Sequence, residues 1–451
     1  MTLLASQMTN KIKQKKLVFG LGQTGYSCVS YLVKQGYEVV AFDTREQPPC
    51  LEKVYCDFPQ VDVFLGEFNS ELMLNVSQII ASPGISLQSP ELNTAKNNGI
   101  EIIGDVQLFA DQAKAPIVAI TGSNGKSTTT SLVAEMFEKA GRNVKVGGNI
   151  GIPVLDLLEQ EIPDVYVLEL SSFQLETTQN LRSRIAVVLN ISPDHMDRYN
   201  SLDHYAQSKM HIYDQADIKL INVDDAWIAA HFNFEDSHTS FSLGTPLENS
   251  YGLKKYDDQE WICHGDEKLI PCSDIKLQGR HQLYNAMVAL AVGDNFGLSS
   301  KDMYQVLREF GGLAHRTQYV AEIDQVVYIN DSKGTNVGAT VAAISGMEKP
   351  VVLIAGGEGK GADFSELRDI VKNKVRQVIL IGRDAGLIEN TLKDLVPVIR
   401  AVNLPAAVTQ AKEIAQSGEC VLFSPACASF DMFDNYQHRG DVFVKAVGEM
   451  K

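Results

Sequence analysis

A glycine-rich segment, residues 122–128, carries the clearest chemical signal in the sequence. It reads Gly-Ser-Asn-Gly-Lys-Ser-Thr and stands between an apolar run, PIVAIT, and a helical pattern, STTTSLVAEMFEKA. It is a shortened form of the phosphate-binding pattern G-x-x-x-x-G-K-[ST], in which backbone N–H groups and a helix N-terminus surround phosphate oxygens. Lys126 would neutralise the terminal phosphates, and the Ser127 hydroxyl would ligate Mg²⁺. The predicted phosphate-binding residues are Gly122, Ser123, Asn124, Gly125, Lys126, Ser127 and Thr128.

Acidic and imidazole side chains follow the next two long apolar runs. Glu169 lies near the end of VYVLELSS, and Asp194, His195 and Asp197 follow RIAVVLN. Ligands of open parallel sheets bind beyond the carboxyl ends of the strands, so we expect these side chains on the same rim as the phosphate loop. The Glu169 carboxylate is a hard oxygen ligand that suits Mg²⁺. Since His is an unusual Mg²⁺ ligand, the chemistry of His195 alone leaves three roles open: ligand, general base or hydrogen-bonded loop residue.

Short apolar runs that alternate with amphipathic segments must position these side chains. Examples are KLVFGLG, YEVVAFD, VVLIAGG and CVLFSPA, each apolar on both faces and followed by Gly, Ser, Asp or Asn. This pattern is typical of buried parallel strands with helices between them. The predicted fold class is therefore α/β with parallel sheets.

The chain length and the recurrence of a strand, a glycine loop and a helix predict three domains. The chain has 451 residues, and domains usually contain about 100–200 residues. We place a Rossmann-like domain at 1–104, a central P-loop mononucleotide-binding domain with a parallel sheet at 105–312, and a C-terminal Rossmann-like α/β domain at 313–451. The polar stretch 232–275 is consistent with small antiparallel strands or with surface loops.

Composition excludes several classes of protein. With 40 Lys and Arg against 56 Asp and Glu, the net charge is -16, which repels phosphate backbones, so we expect no general nucleic-acid binding. Seven cysteines without a C-x-x-C pattern predict neither a disulfide framework nor a zinc knuckle. No apolar stretch approaches about 18 residues, and the N-terminus lacks a signal-peptide pattern. We therefore expect a cytoplasmic protein without a membrane span.

A second glycine pattern, G-x-G-x-x-G at 20–25, follows the first apolar run, with Asp43 at the end of the next. Read alone, the glycines and the acid form a dinucleotide-binding fingerprint. This leaves open an NAD-dependent oxidoreductase or a nucleotide-binding sensor built on the first domain. The structural alternative, without a ligand, is an ion pair between Asp43 and Arg45 at the strand end.

Several motifs together resemble the Mur ligase family of ATP-dependent enzymes that form amide bonds. They are TGSNGKST at 121–128, GGNIG at 147–151, LELSSFQL at 168–175, DHMDRY at 194–199, NDSKGTN at 330–336, GGEGKGADF at 356–364 and SPACASFD at 424–431. The resemblance implies that ATP and Mg²⁺ drive the joining of D-glutamate to UDP-N-acetylmuramoyl-L-alanine, a peptidoglycan precursor, through an acyl phosphate. A folylpolyglutamate synthase, from the same superfamily, is the alternative ligase.

The resemblance also implies roles for individual residues. The UDP-linked substrate would contact Gly22, Gln23, Thr24, Thr44, Arg45, Ser82 and Asn149. ATP would also contact Asn285, Arg316 and Asp331. D-glutamate would contact Lys333, Thr335, Lys360, Ser429 and Tyr436. Two metal ions would be held by Ser127, Glu169, His195 and Lys209, and Lys209 would act as a carbamate. The catalytic set implied is Lys126, Glu169, His195, Lys209 and Lys360, in a monomer.

Four positions depart from the family pattern: Gln23, Gln282, Thr317 and Tyr436. The segment GGEGKG at 356–361 is not a second phosphate loop, because Gly361 stands where a Ser or Thr is needed. A D-N-P-R motif is missing, which favours glutamate over diaminopimelate as the added amino acid.

Overall fold

The first domain is built on a five-stranded parallel sheet, in the order β3-β2-β1-β4-β5. Its strands are β1 (Lys15–Phe19), β2 (Glu38–Asp43), β3 (Asp62–Leu65), β4 (Gln78–Ala81) and β5 (Glu101–Ile103). The computed structural model describes residues 15–67, 70–277, 279–347 and 349–450. The segment read as lacking a signal peptide, residues 1–14, lies outside the described residues.

The central sheet has nine strands, in the order β14-β13-β12-β11-β10-β9-β6-β8-β7. They are β6 (Ile117–Thr121), β7 (Val144–Gly148), β8 (Val165–Glu169), β9 (Ile185–Val188), β10 (Ile218–Asn222), β11 (Thr239–Phe241), β12 (Ser250–Tyr256), β13 (Gln259–His264) and β14 (Glu267–Pro271). The strands from β6 to β12 pair in parallel, while β12, β13 and β14 form an antiparallel meander. The polar stretch 232–275 therefore extends the sheet with strands and is not a set of surface loops.

The third domain has a six-stranded sheet, in the order β15-β16-β20-β17-β18-β19. Its strands are β15 (Gln318–Ile323), β16 (Val326–Asn330), β17 (Val351–Gly356), β18 (Val375–Ile381), β19 (Val398–Arg400) and β20 (Cys420–Phe423). Only the edge pair β15 and β16 is antiparallel. Three α/β sheets with mainly parallel pairing confirm the predicted fold class.

Helices connect the parallel strands and cover the sheets. In the first domain they span Gln23–Lys34, Leu51–Asp57, Ser70–Leu74 and Pro90–Asn97. In the central domain they span Asp105–Ala110, Lys126–Lys139, Val154–Leu157, Ser172–Leu175, Leu202–Met210, Ala226–His231, His281–Asn295 and Ser300–Glu309. In the third they span Val337–Ser345, Arg368–Lys374, Ala385–Leu392, Leu404–Ile414 and Tyr436–Gly448. None of the described helices combines the length and the apolar character that crossing a bilayer requires.

The first two domains share one hydrophobic cluster, whereas the third has its own. Val29 and Leu32 of the first domain pack in the same buried cluster as Leu157 and Tyr166 of the central domain. The clusters of the third domain contain its own side chains alone, among the described residues. Burial of apolar surface is the main force that holds domains together. The first two domains therefore share a hydrophobic interface, and the third meets them through polar contacts.

Candidate functional site

The carboxyl ends of parallel strands from the central and third sheets meet at one junction. The phosphate loop follows β6, Glu169 ends β8, and Asp194 lies in the loop after β9. From the third domain, Lys333 follows β16 and Lys360 follows β17. This agrees with the rule that ligands bind beyond the carboxyl ends of strands in open α/β sheets.

The phosphate loop folds around glycines with positive φ and is supported by the loop after β9, the strand that pairs with β6. Gly125 has a φ of 85° and precedes the helix that begins at Lys126. A Cβ on Gly125 would lie 2.8 Å from Oδ1 of Asn285, so only glycine leaves that amide in place. The Asn190 side chain accepts from the N–H of Asn124 (2.8 Å) and donates to its carbonyl (3.1 Å). Asn190 was absent from the sequence prediction, although its place at the end of IAVVLN is the same signal that identified Glu169.

Lys126 bends over its own loop and donates to the carbonyls of Gly122 (2.7 Å) and Ser123 (3.0 Å). Burial lowers the pKa of Lys126, against the opposing effect of the Glu169 and Asp194 carboxylates. A buried ammonium with carbonyl partners gains most from an anion placed beside it. Lys126 is therefore poised to pair with phosphate oxygens held by the loop.

Glu169 is the centre of a set of oxygen and nitrogen donors. The Ser127 hydroxyl donates to one carboxylate oxygen (2.5 Å), and the Asn149 amide donates to the other (2.7 Å). Arg316 of the third domain donates to the Ser127 hydroxyl oxygen (2.6 Å). A Cβ on Gly148 would lie 2.2 Å from the Glu169 carbonyl, so glycine at 148 permits this close approach. The convergent hydroxyl and carboxylate oxygens fit a hard cation such as Mg²⁺.

The other two predicted metal ligands are His195 and Lys209. Burial changes the pKa of both side chains. Burial lowers the pKa of His195 to about 4, so its imidazole is neutral at pH 7 and keeps a free lone pair. Lys209 is 2% exposed and donates to the Thr121 hydroxyl (3.4 Å). Burial, and next the Lys126 charge, hold the pKa of Lys209 well below its usual range. The Lys209 amine offers no oxygen to a cation, so His195 and Lys209 lack the hard oxygen ligands that suit Mg²⁺.

No cluster of three or more His, Cys, Asp or Glu side chains suitable for a metal occurs in the part of the chain that the structure describes. A cation at this junction would therefore depend on hydroxyl oxygens, such as that of Ser127, and on oxygens of bound phosphate. That dependence agrees with the chemistry of Mg²⁺, which usually keeps few protein ligands and shares substrate phosphates.

Asp194 joins the central and third domains. Its carboxylate accepts from Lys360 (2.9 Å) and from the Asn336 amide (3.3 Å), and Asn336 also donates to Asn124 of the phosphate loop (3.3 Å). Burial would raise the pKa of Asp194, but the neighbouring Lys360 ammonium holds it at about 2. Asp194 was noted on the sequence only as a strand-end acid, and its partner on another domain could not be read from spacing.

A cavity of about 780 Å³ lies between the first domain and the other two. All seven residues predicted for the UDP-linked substrate line it: Gly22, Gln23, Thr24, Thr44, Arg45, Ser82 and Asn149. Lys333 and Tyr436, predicted to contact D-glutamate, line the same cavity, and the Lys333 ammonium lies 4.1 Å from the centre of the Tyr436 ring. Gln174 also faces the cavity and was not predicted.

The Asp43 carboxylate accepts its hydrogen bonds from residues of the first domain. One carboxylate oxygen accepts from the Arg45 N–H and Nε, and the other accepts from the Leu21 N–H and from the second guanidinium nitrogen of Arg45. A carboxylate has about four lone-pair sites, so these donors saturate it. The acid of the dinucleotide fingerprint therefore has no acceptor left for a ribose hydroxyl in this structure, and it forms the strand-end ion pair with Arg45.

The remaining predicted residues are those for ATP and those for the amino acid. Asn285 accepts from Thr129 (3.0 Å) and donates to Gln282 (2.6 Å), and Asp331 accepts from the Thr317 N–H (3.0 Å) and the Ser424 hydroxyl (2.7 Å). Burial raises the pKa of Asp331 to about 6. No hydrogen bond within the described ranges joins Lys360 to the other predicted amino-acid contacts, Thr335 and Ser429.

Three family descriptions match the chain in succession. They are "Mur ligase MurD-like, N-terminal domain" at residues 14–104, "Mur ligase middle domain" at 120–293 and "Mur ligase, glutamate ligase domain" at 315–427.

Close relatives match almost the whole chain. A protein of Nitrosococcus oceani named UDP-N-acetylmuramoylalanine--D-glutamate ligase is 44% identical over 450 residues, covering 99% of each chain. The protein of that name in Pseudomonas aeruginosa is 47% identical over 439 residues, covering 96% of this chain and 98% of its own. Among solved structures, the MurF ligase of Thermotoga maritima in complex with ADP has a TM-score of 0.60 at 15% identity, covering 98% of this chain and 97% of its own. At that identity the likeness concerns the fold.

The buried ammonium of Lys333 predicts a pH-dependent gain in stability on its removal. Burial, followed by the charges of Arg316 and Lys126, lowers the pKa of Lys333 from 10.5 to about 8. Below pH 8 the folded state holds a penalised charge, and the penalty fades as pH rises from 8 towards the pKa of the unfolded chain. Lys333→Met should therefore raise the free energy of unfolding by about 3 kcal/mol at most near pH 7, and by less near pH 9.5.

Urea denaturation near both pH values measures this difference. Lys445→Met, which removes an exposed lysine of the same domain, is the matched control and should change neither value. An equal gain at both pH values, or a loss near pH 7, would contradict the assignment of a strained charge to Lys333.

Proposed function

The chain belongs to the Mur ligase family, and we propose that it uses ATP to join D-glutamate to UDP-N-acetylmuramoylalanine in the synthesis of peptidoglycan precursors. The observation that carries this proposal is 44% identity across 99% of the chain to a ligase named for that reaction. The cavity of about 780 Å³, whose wall includes Asn149, the hydrogen-bond partner of Glu169, supports it, because that volume suits a large nucleotide-linked substrate. We expect a monomer that works in the cytoplasm, where ATP is available.

The alternatives from the sequence have less support. A dinucleotide oxidoreductase needs an acid free to accept from ribose, and Asp43 has all its acceptor sites taken by Leu21 and Arg45. A folylpolyglutamate synthase would use the same phosphate chemistry with a different acceptor. The relatives that match the whole chain are named for the muramoyl substrate, which favours the UDP-linked precursor.

The proposed reaction has two steps. A carboxylate oxygen of the precursor attacks the terminal phosphorus of ATP, and the bond to ADP breaks, which gives an acyl phosphate. The amine of D-glutamate then attacks the acyl carbon, loses a proton, and expels phosphate. Lys126 would neutralise the transferred phosphoryl group, and Arg316, through its contact with Ser127, would add positive charge at the same place.

Magnesium would be held by Ser127 and Glu169, whose oxygens converge at 2.5 Å. When bound, the ion supplies charge neutralisation for the phosphates. The neutral imidazole of His195 could accept the proton of the incoming amine or ligate a second ion. Lys360, which pairs with Asp194 in this structure, would hold a carboxylate of D-glutamate together with Thr335 and Ser429.

Lys209 is proposed to carry a carbamate. A neutral lysine amine adds to the carbon of CO₂ and releases a proton, which gives an anionic oxygen ligand. Burial beside Lys126 lowers the pKa of Lys209, so the reactive neutral amine is favoured there. The carbamate would turn the pair of His195 and Lys209 into a set that suits a second Mg²⁺.

Phosphate release tests the proposed function. Wild-type protein should release phosphate from ATP only when UDP-N-acetylmuramoyl-L-alanine and D-glutamate are both present. Lys126→Ala should fold and lose turnover by about a thousandfold, since a charge aimed at the transferred group is removed. Release that needs neither acceptor, or near-wild-type turnover by Lys126→Ala, would contradict the reaction and the phosphate loop respectively.

Arg45→Ala should weaken binding of the UDP-linked substrate and leave ATP binding unchanged. Its guanidinium is about half exposed and lies on the wall of the large cavity, remote in the chain from the phosphate loop. Calorimetric titration with each ligand measures the two affinities. Equal losses for both ligands would point to a folding defect.

Lys209→Ala should lose most activity, and small carboxylic acids such as acetate should restore part of it by filling the space left beside the metal. Lys126→Ala is the matched control, because there a cation is missing and acetate cannot replace it. Turnover of both variants with and without acetate distinguishes the carbamate from an ordinary lysine. Full activity of Lys209→Ala would remove it from the site.

A further inference from the structure

Arg198 of the central domain holds a loop of the first domain by two backbone carbonyls. One terminal nitrogen of its guanidinium donates to the Pro83 carbonyl (2.7 Å), and the other donates to the Ile85 carbonyl (3.0 Å). The two acceptors flank Gly84, so the planar fork of the guanidinium spans this segment. Lysine has its three donors on one nitrogen and lacks this planar fork of two nitrogens.

The loop that Arg198 holds is a wall of the substrate cavity. Residues 82–85 form a β-turn in which the Ile85 N–H donates to the Ser82 carbonyl (2.9 Å). The Ser82 hydroxyl donates in turn to the Gly20 carbonyl of the first glycine turn (2.9 Å). All four residues of the turn line the large cavity, and so does Gly20. The position of this wall is thus tied to a side chain of another domain.

The Arg198 side chain is itself well fixed. Its guanidinium carbon lies 3.8 Å from the centre of the Phe173 ring, and a terminal nitrogen pairs with Glu176 (3.3 Å). The guanidinium is 14% exposed and the Glu176 carboxylate 15%. The Phe173 ring also packs against the proposed catalytic residue His195, with 4.8 Å between the two ring centres. Arg198 therefore connects the cavity wall to the loop that carries His195.

We propose that Arg198 is a positioning residue for the nucleotide-linked substrate: it fixes the 82–85 turn against the central domain and so sets the shape of the cavity. This inference rests on the proposed function. It assigns Arg198 no contact with the reacting atoms. Its effect should fall on the affinity for the UDP-linked substrate and leave that for ATP unchanged, because the phosphate loop shares none of these contacts.

Binding measurements on the full chain test this role. Arg198→Ala should weaken binding of UDP-N-acetylmuramoyl-L-alanine by about tenfold or more, because two charge-assisted hydrogen bonds are lost. Binding of an ATP analogue with Mg²⁺ should stay within about twofold of wild type. Guanidinium ion at millimolar concentration should restore part of the lost affinity by occupying the space above Phe173. Arg198→Lys should lie between wild type and Arg198→Ala.

Two matched variants separate the carbonyl contacts from other effects. Glu176→Gln removes the ion pair and keeps the contacts to Pro83 and Ile85, so it should bind the UDP-linked substrate like wild type. Arg184→Ala removes an exposed arginine of the same domain, paired with Asp217, and should neither weaken binding nor respond to guanidinium.

Three results would overturn the role of Arg198. They are wild-type affinity in Arg198→Ala, equal losses for the ATP analogue and the UDP-linked substrate, and a loss in Glu176→Gln as large as that in Arg198→Ala. Wild-type protein that binds no UDP-N-acetylmuramoyl-L-alanine would instead contradict the proposed function, and the role of Arg198 with it.

Discussion

Buried positive charge at the junction of the central and third domains is the constraint on which the site depends. Five basic side chains interact there with three carboxylates, those of Glu169, Asp194 and Asp331. The basic side chains are Lys126, Lys209, Arg316, Lys333 and Lys360. Burial lowers the pKa of the first four of them. Buried charges are costly without partners of opposite sign, so this junction is built to receive anions.

The fold explains why the charges meet. Parallel strands align their carboxyl ends, and the loops after them carry Lys126 and Glu169 in the central sheet and Lys333 and Lys360 in the third. The first domain supplies a cavity wall and almost no charge at the junction. It is joined to the central domain by a shared hydrophobic cluster, and the 82–85 turn is held by Arg198. Binding and phosphoryl chemistry thus occupy neighbouring surfaces of a molecule whose third domain meets the others through polar contacts.

Local pattern was enough to predict much of this arrangement. Apolar runs predicted the parallel strands, glycine spacing predicted the phosphate loop, and position after a strand predicted Glu169. Contacts between distant segments could not be predicted in this way. The pairing of Asp194 with Lys360, the saturation of Asp43 and the placement of Lys333 in the large cavity depend on how three sheets are oriented in space. The stretch 232–275 was ambiguous because its strands are polar, with few apolar positions to reveal their period.

Anions bound at the junction should draw the third domain closer to the other two, because the pair of Asp194 and Lys360 neutralises only part of the positive charge there. Small-angle scattering measures this directly as the radius of gyration, without ligands and with an ATP analogue, Mg²⁺ and UDP-N-acetylmuramoyl-L-alanine together. We expect the radius to fall when the ligands are added. An unchanged radius would contradict a site that is assembled by neutralising charge across the domain junction.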